Sequence, residues 1–365
     1  MKRLFGVLML ALLSTTAPRC IGAQAQSPAE IAVLKKKAAA GDAAAQVSLG
    51  DTYYLGEVVP KSMTEAVKWY RLAAAQGNAS AENTLGYMYL NGKGVPESKE
   101  QALQWYRLAA AKGEADAQYN LGTMLAAGQG VPESKAEAVK WLRSAAAQGN
   151  VRAQSTLGYM YETGEGVQKS QADAAQWYRL AAAQGDAVAQ FFTGSRYAVG
   201  EGVAKNMKEA VKWWRLAAAQ GNSRAQYNLG VLYEKGEAVP KSKAEAVKWY
   251  RLAAAQGNAA AQYNLGTMYD NGEGVPESKT EAVSWFTLAA AHGDASAQYN
   301  LGNMYHKGEG VPRDNVQAYK WFSLAAAQGK ATAKKTLAVL VTMMTKEQIA
   351  EAQRLSTEFK PTKKP

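Results

Sequence analysis

The chain has 365 residues and a formal net charge of +11, from 42 basic and 31 acidic side chains, with one cysteine, Cys20. A lone thiol excludes a disulfide within the chain, and if Cys20 leaves with a cleaved leader the rest has neither a thiolate nucleophile nor a Cys-bound metal. The positive charge favours an acidic partner or an anionic surface and identifies neither.

Met1-Lys2-Arg3, the apolar run from Leu4 to Ala17 and Ala23-Gln24-Ala25 have the pattern of a secretory signal over residues 1–25, cut after Ala25. The run is too short to span a bilayer, and Arg19 before Cys20 fits a lipoprotein cleavage site poorly. Cleavage removes Lys2, Arg3 and Arg19 and lowers the charge from +11 to +8; the mature protein is expected to be periplasmic or secreted. Ser27-Pro28-Ala29-Glu30 then reads as a capping box with proline at the first helical position. It opens an N-terminal capping half-repeat over residues 26–41 that ends at Gly41.

Beyond it one ruler governs. Trp69, Trp105, Trp141, Trp177, Trp213, Trp249, Trp285 and Trp321 are each 36 residues apart, and Gly50, Gly86, Gly122, Gly158, Gly194, Gly230, Gly266 and Gly302 keep the same period. Residues 42–329 are therefore eight copies of one unit. Self-similarity at this period marks a solenoid, in which a unit buries its apolar face only against its neighbours. The predicted architecture is an all-α, α/α superhelical solenoid of helix-turn-helix repeats with terminal capping helices. Such a molecule offers a surface for holding something.

In the copy from Asn258 to Gly293, Ala261, Leu265, Gly266 and Tyr269 fall on one helical stripe, so a first helix, A, is expected from about Ala259 to Asn271. Gly272 stops it and Gly274-Val275-Pro276 carries the turn. Ser278 and Glu281 form a capping box for a second helix, B, and the same pair recurs in all eight copies, as in Ser62/Glu65, Ser134/Glu137 and Asp314/Gln317. Along B, Ala282, Trp285, Phe286, Ala289 and Ala290 share a face. A buried tryptophan removes about 150–250 Å² from water, about 4–6 kcal/mol gross, so Trp177→Ala is expected to cost about 3–5 kcal/mol. Residues 330–359 read as a C-terminal half-repeat, with Ala333, Leu337, Ala338 and Val341 imitating helix A, and a capping helix started by Thr345/Gln348. Residues 360–365 read as a basic disordered tail.

The L-G-x-x-Y of Leu265-Gly266-Thr267-Met268-Tyr269 and the A-x-x-x-[YF] of Ala282-Val283-Ser284-Trp285-Phe286 resemble the tetratricopeptide consensus. The longer period and the G-x-G-V-P turn make the chain similar to the Sel-one-like repeat family, close relatives of the tetratricopeptide proteins. That resemblance implies a right-handed superhelix serving as an adaptor for protein complexes, in bacteria often secreted or periplasmic. It implies no particular ligand.

Recognition should use the positions that vary. On the polar face of helix A, Asn120, Asn228, Asn264 and Asn300 share one offset, and Tyr87 and Tyr159 share the next. In tetratricopeptide relatives the A helices line the groove and asparagines grip a peptide main chain, a task suited to an amide that both donates and accepts. The candidate peptide- or protein-binding set is these six with Arg152, Arg224, Lys235 and Phe192; the alternative is a merely solvated polar face. In the irregular fifth unit Thr193 replaces the core leucine, and either Phe192 projects as an anchor or Phe191 turns inward to fill the lost volume. Arg71, Arg107, Arg143, Arg179, Arg215 and Arg251 form a ladder on helix B, expected to make salt bridges or a solvated ridge, or else to meet an anionic cell-envelope polymer or membrane surface.

Catalytic patterns are scarce. His292 and His306 stand at unrelated offsets, no H-E-x-x-H or S-x-x-K is present, and the recurring Gly-x-Gly lacks a preceding strand and a third glycine. No cofactor, metal or nucleic-acid partner is expected. The reading is a non-enzymatic protein-protein interaction scaffold; a binder of anionic envelope is the alternative, and a cell-wall or β-lactam hydrolase a distant one.

Overall fold

The computed structural model describes residues 27–362. The leader expected over residues 1–25 and the last three residues of the basic tail lie outside them. Among the described residues there are nineteen helices and no strand. They fall into two compact units, one running to Ala189 and taking in Glu201–Val203, the other formed by Gln190–Gly200 and everything from Ala204.

The first unit opens with α1 (Pro28–Ala39). Its A helices are α2 (Ala43–Leu55), α4 (Ala79–Leu90), α6 (Ala115–Ala127) and α8 (Val151–Thr163). Its B helices are α3 (Met63–Ala75), α5 (Lys99–Ala111), α7 (Lys135–Ala147) and α9 (Gln171–Ala183). From Gln190 the second unit takes most of α10 (Ala187–Val199), then A helices α12 (Ser223–Lys235), α14 (Ala259–Asn271), α16 (Ala295–Lys307) and α18 (Ala331–Val341). Its B helices are α11 (Met207–Ala219), α13 (Lys243–Ala255), α15 (Lys279–Ala291) and α17 (Asn315–Ala327), and α19 (Lys346–Glu358) closes it by packing on α17. Within each unit an A helix packs on the B helix of its own repeat, and that B helix on the next A helix.

The helices stop and start where local chemistry dictates. Helix α14 has the bounds read from its stripe, and Gly272 caps it at φ +67°. At φ +71°, Gly274 lies so close to the first residue of α13 that a Cβ there would stand 2.6 Å from the Lys243 carbonyl oxygen. The second glycine of the turn is thus also a stacking contact. Ala238, at the same position one repeat earlier, is forced to φ +59°, a conformation that costs an L-residue about 1–2 kcal/mol.

The recurrent caps are half of a capping box. Ser62, Ser98, Ser170, Ser242 and Ser278 accept a hydrogen bond from the N3 amide, whereas Ser134 makes no side-chain cap. The reciprocal half forms at the two terminal helices, Ser27 with Glu30 and Thr345 with Gln348. In the repeats the N-cap amide already donates to the helix A carbonyl nine residues earlier, as Ser62 does to Tyr53 at 3.0 Å and Ser278 to Tyr269 at 2.9 Å. The acid at N3 has no orphan donor to serve, and Glu65 and Glu245 turn to Lys68 and Lys248 instead.

The core aromatic is the residue after the ruler tryptophan. Tyr70, Tyr106, Tyr178, Tyr250, Phe286 and Phe322 are all but fully buried, while Trp69, Trp105, Trp141, Trp177, Trp213, Trp249 and Trp285 are half-buried. The same shift occurs on helix A, where Met268 is buried and Tyr269 half-buried. The periodic glycine follows from this: a Cβ on Gly266 would meet Phe286 Cδ1 and Cε1 at 2.6 Å, and one on Gly158 would meet Tyr178 at 2.7 Å. Helix A is bare at that point so that a ring from helix B can lie on its backbone.

A buried amide ladder runs through each stack. In the first unit Gln46, Gln118 and Gln154 donate to the carbonyls of Ala38, Ala110 and Ala146, and accept from Gln76, Gln148 and Gln184 at 2.8–2.9 Å. In the second, Gln226, Gln262 and Gln298 donate to the carbonyls of Ala218, Ala254 and Ala290. One rung is ionic: Glu82, 3% exposed, takes the glutamine position, and Lys112 takes the partner position at 2.5 Å. The two replacements occur together, as satisfying a buried carboxylate requires.

Candidate binding surface

The candidate residues sit on the A helices, and the two units present them differently. In the first unit the face is closed. Thr84, Asn120 and Thr156 are buried, and the Asn120 amide donates to Asn83 Oδ1 at 3.0 Å. Tyr119, also fully buried, lies near the exposed Arg152; burial pushes its hydroxyl up to about 12 against the pull of that guanidinium. Tyr159 is buried and donates to Glu165 at 3.1 Å, and desolvation together with that carboxylate pushes it to about 12. Tyr87 remains half-buried: Lys93 donates to the Tyr87 and Tyr54 hydroxyls at 2.9 and 3.0 Å and lies over both rings.

In the second unit the face is open. Asn228, Asn264 and Asn300 are half-exposed at one offset of α12, α14 and α16. Beside them Tyr227, Tyr263 and Tyr299 tilt against the buried rings of Tyr250, Phe286 and Phe322, with centroids 5.6–5.9 Å apart. Desolvation raises the Tyr250 hydroxyl, which donates to Glu234 at 2.6 Å. Arg224 reaches over Phe191 and Lys330 over Tyr299, and Lys235 is exposed at the end of α12. The structure therefore gathers Asn228, Asn264 and Asn300 into one half-exposed row, with Asn120 beneath the surface of the other unit.

The fifth repeat resolves in favour of repacking, by a different residue from the one expected. Phe192 is 7% exposed, whereas Phe191 is half-exposed and meets it edge-on at 5.4 Å. Trp214, 6% exposed, fills further space and donates its indole N–H to the Phe191 carbonyl at 3.2 Å. Phe192 thus packs inward.

On the B helices Arg71 and Arg215 donate to the hydroxyls of Tyr89 and Tyr233 at 2.6 and 3.0 Å, and Arg143 and Arg251 bond Tyr161 and Tyr269 in the same way. The guanidiniums of Arg71, Arg143 and Arg251 also approach the faces of their tyrosines. The salt bridges expected of this ladder are replaced here by neutral phenols 18 residues on, and the sequence signal was the tyrosine at that spacing. At Arg107 the corresponding residue is Leu125.

Among the described residues no cluster of three His, Cys, Asp or Glu side chains is arranged to hold a metal ion, and no helix is long and apolar enough to cross a membrane. His292 stands in a glutamine position, its Nδ1 3.1 Å from Gln262 Oε1, and His306 Nδ1 lies 3.1 Å from Asn315 Oδ1.

Eight consecutive segments, residues 43–78, 79–114, 115–150, 151–186, 187–222, 223–258, 259–294 and 295–330, match the Sel1 repeat. A Sel1 repeat protein from Oxalobacter formigenes is 32% identical, with 91% of this chain and 93% of that one covered and a TM-score of 0.66. The protein c5321 of uropathogenic Escherichia coli, described as a protective antigen with an SLR fold, is 33% identical over 90% of this chain and 94% of its own, with a TM-score of 0.35. No curated protein matches the chain.

Proposed function

The chain belongs to the Sel1 repeat family, a scaffold of the kind that binds proteins, and from that premise we propose that it is a non-enzymatic adaptor exported to the periplasm or beyond, holding an extended segment of a partner on its A-helix face. The observation that carries this reading is the half-exposed row of Asn228, Asn264 and Asn300 beside Tyr227, Tyr263 and Tyr299. A side-chain amide presents donor and acceptor together, which suits an extended main chain. Flanking tyrosines add apolar area at low cost in side-chain entropy. Arg224 and Lys235 border the row on α12, and the buried Phe192 packs beneath Phe191 in the same unit; on the first unit's A helices Tyr87 and Arg152 are the accessible candidates, with Asn120 and Tyr159 buried.

The test is affinity capture from the native cell envelope with the chain from Gln26 onward, followed by identification of what stays bound. Replacing Asn228 and Asn264 together with alanine should reduce capture at least roughly tenfold, a loss of about 1.4 kcal/mol, with an unchanged denaturation midpoint. Undiminished capture would sink the proposal.

A second reading rests on the Arg–Tyr pairs. A phenol orders a guanidinium without neutralising it, so Arg71, Arg143, Arg215 and Arg251 keep their full charge on the B helices. This supports a role for that face against an anionic envelope polymer or lipid headgroup. Partitioning with envelope fragments at low salt, abolished at high salt, would select it.

A further inference from the structure

We propose that a slot beside Trp141 on the first unit docks an extended peptide carrying a phenylalanine, bound as the chain's own C-terminal segment is bound at Trp321. The inference concerns the B-helix side and is independent of the A-helix reading above.

Of the eight ruler tryptophans, Trp321 is the one that is buried, at 6% exposure, and Phe359 covers it. The two rings meet edge-on, 5.5 Å apart at 72°. Lys320 Nζ lies 4.6 Å from the indole and 5.7 Å from the phenyl ring, and burial there holds the ammonium below its usual range. The chain then runs past Gly293, and Thr362 donates both its amide, at 2.9 Å, and its hydroxyl, at 3.1 Å, to the Ala291 carbonyl. That carbonyl ends α15, in the last turn of a helix where intrahelical donors run out. A short segment thus reads two features one repeat apart, an aromatic slot on one B helix and the terminal carbonyl of the preceding one.

Both features recur 180 residues earlier in the sequence: Lys140 and Trp141 on α7, Ala111 at the end of α5. There Ser144 stands at the position of Leu324, which packs on the same cluster as Phe359, and of Leu72, Leu108 and Leu180 in the other repeats of the unit. Beside Ser144 a cleft of about 600 Å³ lies against Trp141, lined also by Ala136, Glu137 and Lys140. It adjoins a second of about 650 Å³ that shares Lys140 and adds Arg143, Tyr161 and Lys169. A phenyl ring has an indole face, an ammonium and open space to enter. Since Phe359 is engaged at Trp321, the occupant comes from another chain. Its pattern is a phenylalanine followed three residues later by a residue other than proline, whose N–H meets the Ala111 carbonyl.

The probe is a fluorescent peptide with the sequence of residues 356–362, Ser-Thr-Glu-Phe-Lys-Pro-Thr, titrated against the full chain by anisotropy. Saturable binding is expected, weakened roughly tenfold or more by Phe→Ala or by Thr→Pro at the last residue. Ser144→Lys fills the cleft from an exposed helix position and should weaken binding equally, whereas the Asn228/Asn264 double variant should bind as wild type. A benzoylphenylalanine in place of the peptide's phenylalanine should crosslink within residues 135–147. Absence of saturable binding, indifference to Phe→Ala or Ser144→Lys, or crosslinks confined to other segments would overturn the proposal.

Discussion

Gly266→Ala sets two principles against each other. In an exposed helix interior, alanine for glycine stabilises by about 1 kcal/mol. At Gly266 the new methyl would stand 2.6 Å from Phe286 Cδ1 and Cε1 and 3.0 Å from Cγ. Phe286 is fully buried among Ala282, Ala289, Ala290 and Leu301, so its ring has no open space to swing into. Overpacking of a closed core costs about 1–3 kcal/mol, which offsets or exceeds the propensity gain of about 1 kcal/mol, and a net loss of up to about 2 kcal/mol is expected. The assay is urea unfolding followed by helical circular dichroism, with hydrogen exchange in α14 and α15 as a local reading, because a repeat array can unfold piecewise. In a Phe286→Leu background the smaller side chain can give way, and the double-mutant cycle should show a coupling of about 1 kcal/mol. A Gly266→Ala chain more stable than wild type would refute the reasoning that ring contact, and not chance inheritance, maintains this glycine.

Three further outcomes follow from the buried polar groups. Tyr106 carries a buried hydroxyl with no partner, whereas Tyr70 donates to the buried Asp51 at 2.7 Å. Tyr106→Phe should therefore be neutral or stabilising in chemical denaturation, while Tyr70→Phe should cost about 1.5–3 kcal/mol. Lys112→Met leaves the Glu82 carboxylate buried without its ion and should destabilise by about 3 kcal/mol; Glu82→Gln with Lys112→Gln restores the amide rung and should recover most of that loss. Tyr119, raised to about 12, stays protonated in the folded chain above the pH at which an unfolded tyrosine ionises. Its contribution is full below about pH 10 and is lost as pH rises through about 12. A spectrophotometric tyrosine titration should lose one late step in Tyr119→Phe.

Much of the scaffold was legible before any coordinate. The bounds of α14, the glycine caps and the serine N-caps follow from hydrogen bonds within a few residues, and the period of the tryptophans and glycines marks the unit. Adjacent positions were harder to separate. Trp285 and Phe286 both fit the apolar face of α15, and the ring placed on the Gly266 backbone is decided by an approach between two helices. The glutamine ladder has no local signature, because its partners lie 8 and 30 residues away. Asn120 and Asn228 share an offset, yet only the first lies against an asparagine, Asn83, that buries its amide.

The amino-acid order by itself determined the helices, their turns and their thirty-six-residue register, since propensity, caps and positive-φ glycines act locally. Tertiary structure alone decided which aromatic is core, which arginines meet phenols and which asparagines reach the surface. Those outcomes depend on contacts between residues some sixteen to thirty-seven positions apart, where packing in three dimensions, and not the pattern along the chain, sets what each side chain touches.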